Sequence, residues 1–163
     1  EAEHRVISFD PNIRASFIAD PDAQSQRMRR MIARSDIVKV SDEDLAWLEP
    51  GKASGDAIAE RIGQGTAVVI ETRGAQGASA TTASGSLNVA AQPVEVVDTV
   101  GAGDSFDAGF LAGLQEAGCL DKTALRNADA QTLRASLQLA TQVAAITVSR
   151  AGANPPWKPE LTR

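Results

Sequence analysis

Apolar and polar positions fall into alternating blocks along the first seventy residues. Val6-Ile7-Ser8-Phe9 is a short apolar run ending in Asp10-Pro11-Asn12, which predicts a strand entering a turn. Asp20-Pro21 then supplies an N-cap and a first-turn proline for a helix with Met28, Met31 and Ile32 on one face. Asp36-Ile37-Val38-Lys39-Val40 reads as the next strand. Ser41 and Asp44 form a near capping box ahead of Leu45-Ala46-Trp47-Leu48. A helix over about 55–63 and the strand Ala67–Thr72 continue the rhythm. Strands that are almost continuously apolar, alternating with helices, predict a parallel sheet covered by helices.

The pattern changes over 77–97. Ala78-Ser79-Ala80-Thr81, a turn at Ser84-Gly85-Ser86 and Leu87-Asn88-Val89-Ala90 read as an antiparallel hairpin. Val94-Glu95-Val96-Val97 follows and gives the next segment a strand–turn–helix setting. In a helix over about 103–117, Phe106, Phe110, Gly113, Leu114 and Ala117 share a face. Gly109 and Gly113 each cost that helix about 1 kcal/mol relative to alanine, so their presence predicts a second backbone packed against them. Gly118 is placed to stop the helix. A last long helix, about 130–149, is apolar on two faces, through Leu133, Leu137, Ala140 and Ala144 and through Leu139, Val143 and Ile146. That predicts a buried helix, with the Pro155-Pro156 tail peripheral to it. Repeats, low-complexity tracts and clear linkers are absent from the sequence.

Composition narrows the function classes. The 163 residues suffice for one domain with a real core, and the net charge of −5 offers no basic stripe for nucleic acid or an anionic membrane. Cys119 is the only cysteine, so neither an intrachain disulfide nor a cysteine metal cluster can form, which fits a cytoplasmic setting. No uninterrupted apolar run approaches a membrane span, and Glu1–Arg5 does not read as a signal peptide. The single histidine, His4, reads as structural and excludes a Ser-His-Asp arrangement.

The chemistry concentrates in Asp98-Thr99-Val100-Gly101-Ala102-Gly103-Asp104, which opens directly into the helix Ser105-Phe106-Asp107-Ala108-Gly109-Phe110-Leu111. Two glycines around an alanine allow a turn tight enough to aim several N–H groups at one point. The helix start adds its positive end, so the turn is an anion site. Asp104 brings a carboxylate beside it, the combination needed for phosphoryl transfer to an alcohol. The segment resembles the C-terminal signature of the ribokinase-like (PfkB-type) carbohydrate kinases. The resemblance implies an α/β fold of three layers, α/β/α, with a mainly parallel sheet. It also implies that Asp104 is the catalytic base and that the Gly101, Ala102 and Gly103 amides stabilise the transferring phosphate. A carboxylate is too weak a base to ionise an alcohol beforehand, so it would act late in the transfer, typically contributing ~10²–10⁴-fold.

Further segments match the family in order. Asp10-Pro11-Asn12-Ile13-Arg14 stands at the end of the first strand, where open α/β sheets place ligands. It resembles the D-P-N-x-R form common in fructokinase-like and ketodeoxygluconate-kinase-like members, which implies that Asn12 and Arg14 hold phosphate or sugar. Ser41-x-x-Asp44 corresponds to a family N-x-x-E that orders water around nucleotide-bound magnesium. Its departures imply a water-mediated role for Asp44, alongside helix capping. Thr72-Arg73-Gly74-Ala75-Gln76-Gly77 resembles the T-x-G phosphate loop, which assigns Thr72, Gly74 and Gly77 to ATP, as the signature does Asp98 and Thr99. Thr141 and Gly152 fall at segments that flank adenine. Many members also bind a monovalent cation such as potassium, although Pro156 stands where some relatives use a serine oxygen.

The resemblance spans nearly the whole chain but only the C-terminal half of the family. The chain is therefore expected to be the nucleotide-binding and catalytic part of a kinase domain, with the sugar-binding half and lid absent. It implies ATP and Mg2+ as cofactors, a sugar with a primary hydroxyl as acceptor, and a homodimer as one assembly of the full-length protein. A nucleoside kinase of the adenosine type remains an alternative, as does a nucleotide-binding regulatory module without turnover.

Overall fold

A computed structural model describes residues 5–161; His4 lies outside them. The elements run β1 (Ser8–Phe9), α1 (Pro21–Ile32), β2 (Ile37–Ser41), α2 (Asp42–Leu48), α3 (Ser54–Gly63), β3 (Val68–Thr72), β4 (Ala78–Thr82), β5 (Gly85–Val89), α4 (Ala102–Glu116), α5 (Lys122–Arg126) and α6 (Ala130–Val148). The strands form one sheet in the order β1-β2-β3-β4-β5. β1 pairs parallel with β2, Ser8 opposite Ile37, and β2 pairs parallel with β3 from Ile37–Val68 to Ser41–Thr72. The connections from β3 to β4 and from β4 to β5 are far too short for a parallel crossover, so the sheet is mixed.

The chain divides into two compact units, one through Arg73 with Ala80–Ser86 and the other comprising Gly74–Ser79 and Leu87–Arg163. In the first, Ile32, Val38, Val40, Leu45, Leu48, Ile58 and Val69 form the core, with Phe9, Ile13, Met28 and Trp47 packed on it. Residues Ile37 to Val40 are all buried, as expected of a parallel strand covered on both faces. Local capping matches the sequence pattern. Asp20 Oδ1 accepts from Ala23 N at 3.0 Å, and Ser41 and Asp44 form the reciprocal capping box of α2. At α2's far end Arg29 of α1 makes two hydrogen bonds to Glu49, at 2.7 and 3.2 Å, and Arg61 of α3 also bonds this carboxylate.

In the second unit α4 and α6 pack together. A Cβ on Gly109 would lie 2.8 Å from Ala140 Cα, and one on Gly113 would lie 2.7 Å from Ser136 Cα. The second backbone expected at these glycines is therefore α6. The matched four-residue steps run in opposite senses, so the helices are antiparallel. Phe110, Leu114, Leu137 and Ala140 are almost fully enclosed around this contact. Helix α4 ends as the sequence predicts. Gly118, at φ +71°, sits at C′, and Cys119 N reaches back to Leu114 O at 2.8 Å.

Two local readings need correction, and one helix carries no periodic signal in the sequence. The first strand is confined to Ser8–Phe9. Residues 94–97 are not a strand: Val97 N and Asp98 N both donate to Val148 O, and Val94, Val96 and Val97 are exposed. Helix α5 lacks the apolar periodicity that announces a helix; it forms because Asp121 accepts from Thr123 N and Ala124 N while Leu125 is buried. No helix of the described residues is long and apolar enough to cross a membrane.

The close approach sets a test. Gly113→Ala is expected to destabilise the protein by about 1–3 kcal/mol through overpacking, more than the helix-propensity gain of about 1 kcal/mol. At Gly55, in α3, a new Cβ meets nothing within 4 Å, so Gly55→Ala is expected to stabilise by about 0.4–1 kcal/mol. Urea midpoints of both variants check this, and a neutral Gly113→Ala would mean that the helices are not held in contact there.

Candidate functional site

The signature turn lies in the second unit. Gly101 caps α4 at φ +78°, and a Cβ there would come within 2.8 Å of Ala153 Cβ. Both the backbone conformation and the space call for glycine. Ala102 N donates to Thr99 O at 3.2 Å, and Val100 N to Asp98 Oδ1 at 3.0 Å. The amides of the turn that have no acceptor among the described residues are those of Gly101, Gly103 and Asp104, all at the positive end of α4. Asp104 is the third residue of that helix. Its side chain is exposed and makes no hydrogen bond or ion pair with a described residue.

Asp98 has a different occupation. Its Oδ1 accepts from Val100 N, and its Oδ2 accepts from Gly152 N at 2.8 Å. These bonds, with a further one from Thr99 N, hold the carboxyl below the ordinary aspartate range. Asp98 thus joins the signature turn to the segment after α6 and brings Gly152 to it. Thr99 is exposed. Thr141 is buried on α6 with its hydroxyl bonded to Gln138 O at 2.9 Å, so helix packing accounts for its contacts. Gly74 starts a 3-10 turn in the open. Gly77 ends that turn against the backbone of Val89–Ala91, where no Cβ would fit. Beyond Gly152 the tail is tied down by an Arg150–Glu160 ion pair and by Lys158–Glu116 at 2.8 Å.

The remaining expected residues belong to the first unit. Asn12 and Arg14 are exposed on the loop after β1, and Asn12 has φ +43°. Asp44 is 8% exposed. Its Oδ1 accepts from Ile13 N at 2.9 Å and its Oδ2 faces Ser41 N at 3.4 Å. Both carboxylate oxygens are thereby directed at backbone amides, one of which anchors the Asn12–Arg14 loop. Thr72, at the end of β3, points its hydroxyl toward Val40 O at a long 3.5 Å. One participant carries no motif signal: Lys39, in the middle of β2, is 5% exposed and pairs with Asp10 at 2.5 Å. Its only sequence trace is a lysine inside an otherwise apolar strand, which requires a buried partner.

The turn of α4 fits a phosphate group: free amides, a helix N-terminus and adjoining space that an exposed carboxylate can reach. A protein-built magnesium cage does not fit. No group of three potential ligands occurs among the described residues, and Asp44 is committed to amides. Magnesium would arrive on nucleotide phosphates, with mostly water as its other ligands.

Residues 2–160 match the family described as pfkB family carbohydrate kinase. A fructokinase from Rhizobium leguminosarum bv. trifolii is 48% identical over 135 residues, covering 82% of this chain and 41% of that protein. Among solved structures, a fructokinase with bound ATP from Xylella fastidiosa superposes with a TM-score of 0.82 at 28% identity, over 91% of this chain and 47% of that one. An E. coli protein described as a ribokinase II, in complex with ATP and Mg2+, matches with a TM-score of 0.75 at 34% identity, over 91% and 44%. The chain belongs to the pfkB carbohydrate-kinase family, and its fold class is the three-layer α/β/α arrangement of that family. It spans about half the length of the relatives it matches.

The Asp98 clip predicts an acid dependence. Its folded-state pKa lies below the unfolded value near 3.8. The stability it supplies is therefore complete above that value and is lost as pH falls through the lower folded value. Asp98→Asn, which keeps only one acceptor oxygen, is expected to be less stable than the wild type at pH 7. The gap should close below about pH 4. Urea midpoints of both proteins from pH 7 to 2.5 check the sign, and a gap that widens in acid would contradict it.

Proposed function

We propose that this chain is the nucleotide-binding and catalytic part of an ATP-dependent kinase that phosphorylates a primary hydroxyl of a sugar, with fructose the leading acceptor. One observation carries the reading: among the described residues the exposed carboxylate of Asp104 has no partner, and it stands beside the likewise unbonded amides of Gly101, Gly103 and Asp104 at the start of α4. The family match and the 48% identity to a fructokinase support the choice of chemistry and acceptor.

In this mechanism the turn's amides hold the transferring phosphoryl group and stabilise the charge that develops on it. The sugar hydroxyl oxygen bonds to the γ-phosphorus as the bond to the ADP oxygen breaks. Asp104 accepts the hydroxyl proton late, when phosphorus–oxygen bonding has made it acidic. Magnesium bound to the nucleotide would neutralise charge on the phosphates. Asn12 and Arg14 would hold sugar or phosphate, Asp44 would reach the metal only through water, and Thr72, Gly74, Gly77, Thr141 and Gly152 would surround the nucleotide. Within the signature, Asp98 and the Ala102–Thr99 bond shape the turn that presents the other amides.

Asp104→Asn in the full-length kinase is expected to lower kcat by at least ~10²-fold while ATP affinity stays within a few-fold. A coupled assay with fructose, glucose and adenosine as acceptors identifies the substrate class, and near-normal turnover by the variant would remove Asp104 from the role of base.

Residues 1–163 alone are expected to phosphorylate none of these acceptors, since losing the positioning of the sugar can cost up to ~7–11 kcal/mol of barrier lowering. Amide resonances of Gly101, Gly103 and Asp104 should still shift when a non-hydrolysable ATP analogue is titrated into this chain. Shifts confined to other residues would place the phosphates elsewhere.

A further inference from the structure

The loop Asp10–Arg14 is built with more machinery than a surface turn requires. Lys39 projects from the centre of β2, where Ile37, Val38 and Val40 around it are at most 2% exposed, and its side chain is itself 6% exposed. Its Nζ meets Asp10 Oδ2 at 2.5 Å. The other oxygen of the same carboxylate, Oδ1, accepts from Asn12 N at 3.0 Å. One residue further, Ile13 N donates to Asp44 Oδ1 at 2.9 Å. Asn12, bracketed by these two carboxylates, is the one non-glycine residue with positive φ among the described residues.

An ammonium and a carboxylate removed from water are weak contributors to net stability, and an apolar pair of similar size often serves as well or better. A residue in the left-handed region persists when its surroundings over-determine it, and such residues cluster at ligand sites. Here the determinants are two carboxylates, one of them gripped by a buried cation. What they present to solvent is the exposed amide of Asn12 and the exposed guanidinium of Arg14, which donates from Nη1 to the neighbouring Ile13 O at 3.1 Å.

We propose that Lys39 is a positioning residue for phosphoryl transfer: by holding Asp10 it fixes the 10–14 loop so that Asn12 and Arg14 meet an anionic or hydroxyl-bearing group of the substrates. The inference rests on the kinase reading above and extends it to a residue that touches no substrate itself. In this role Lys39 acts through Asp10, so its worth to the reaction depends on Arg14 being there to be positioned.

The test is a double-mutant cycle in the full-length kinase, with Lys39→Met, Arg14→Gln and both together, read as kcat and KM for sugar and ATP. Lys39→Met alone should lower kcat/KM by about 10-fold or more, and in the Arg14→Gln background it should lower it by less than about 2-fold. Equal losses in the two backgrounds would overturn the proposal and leave Lys39 a structural residue. Because Lys39→Met leaves Asp10 without its cation, Lys39→Met combined with Asp10→Asn serves as a second variant. It removes both charges while keeping an acceptor for Asn12 N, and its urea midpoint reports folding. If that variant folds as the wild type does and retains full kcat/KM, the ion pair positions nothing. Asp104→Asn run alongside separates the two claims. An inactive Asp104→Asn with an additive cycle refutes only the role of Lys39, whereas an active Asp104→Asn refutes the reading on which it rests.

Discussion

The candidate site depends on how closely α4 and α6 approach each other. Gly109 and Gly113 lie against Ala140 and Ser136 with no room for a methyl group between them. Two antiparallel helices in such contact put the end of one beside the start of the other. The last carbonyl of α6, that of Val148, therefore lies within reach of the amides of Val97 and Asp98, just before the start of α4. Asp98 completes the junction by accepting from Val100 on its own side and Gly152 on the other. Gly101 turns the chain into α4 under Ala153. The position of the free amides and of Asp104 follows from these contacts rather than from the turn alone.

Buried charge plays the corresponding part in the first unit. Lys39 with Asp10, Glu49 with Arg29 and Arg61, and Asp44 with the amide of Ile13 each tie a loop or helix end to another element. Such groups contribute little net stability, because desolvation offsets most of the attraction. What they supply is position: a donor and an acceptor must stay within hydrogen-bond distance of each other, whereas an apolar contact tolerates sliding.

The periodic elements were legible because their causes are local. Proline after aspartate starts α1, the Ser41–Asp44 box starts α2, and the glycine at 118 stops α4, each through hydrogen bonds within a few residues. The valines at 94, 96 and 97 misled for the same reason. Their β-propensity is local, but a strand needs a neighbour, and among the described residues this segment is assigned no strand partner and bonds the carbonyl of Val148. Helix α5 was invisible because a five-residue helix is too short to show a period.

By itself, the sequence determined the α/β class and the order of the elements other than α5, since residue type and spacing carry both. It also determined that α4 would meet another backbone, because two interior glycines in one helix have few other reasons to be there. Only the tertiary structure decided which backbone that was. It alone directed Asp98 toward the amide of Gly152 and Asp44 toward that of Ile13, and buried Lys39 against Asp10. Each of these is a choice of hydrogen-bond partner. A carboxylate or an ammonium can satisfy itself in many ways, and the packing of distant segments selects among them.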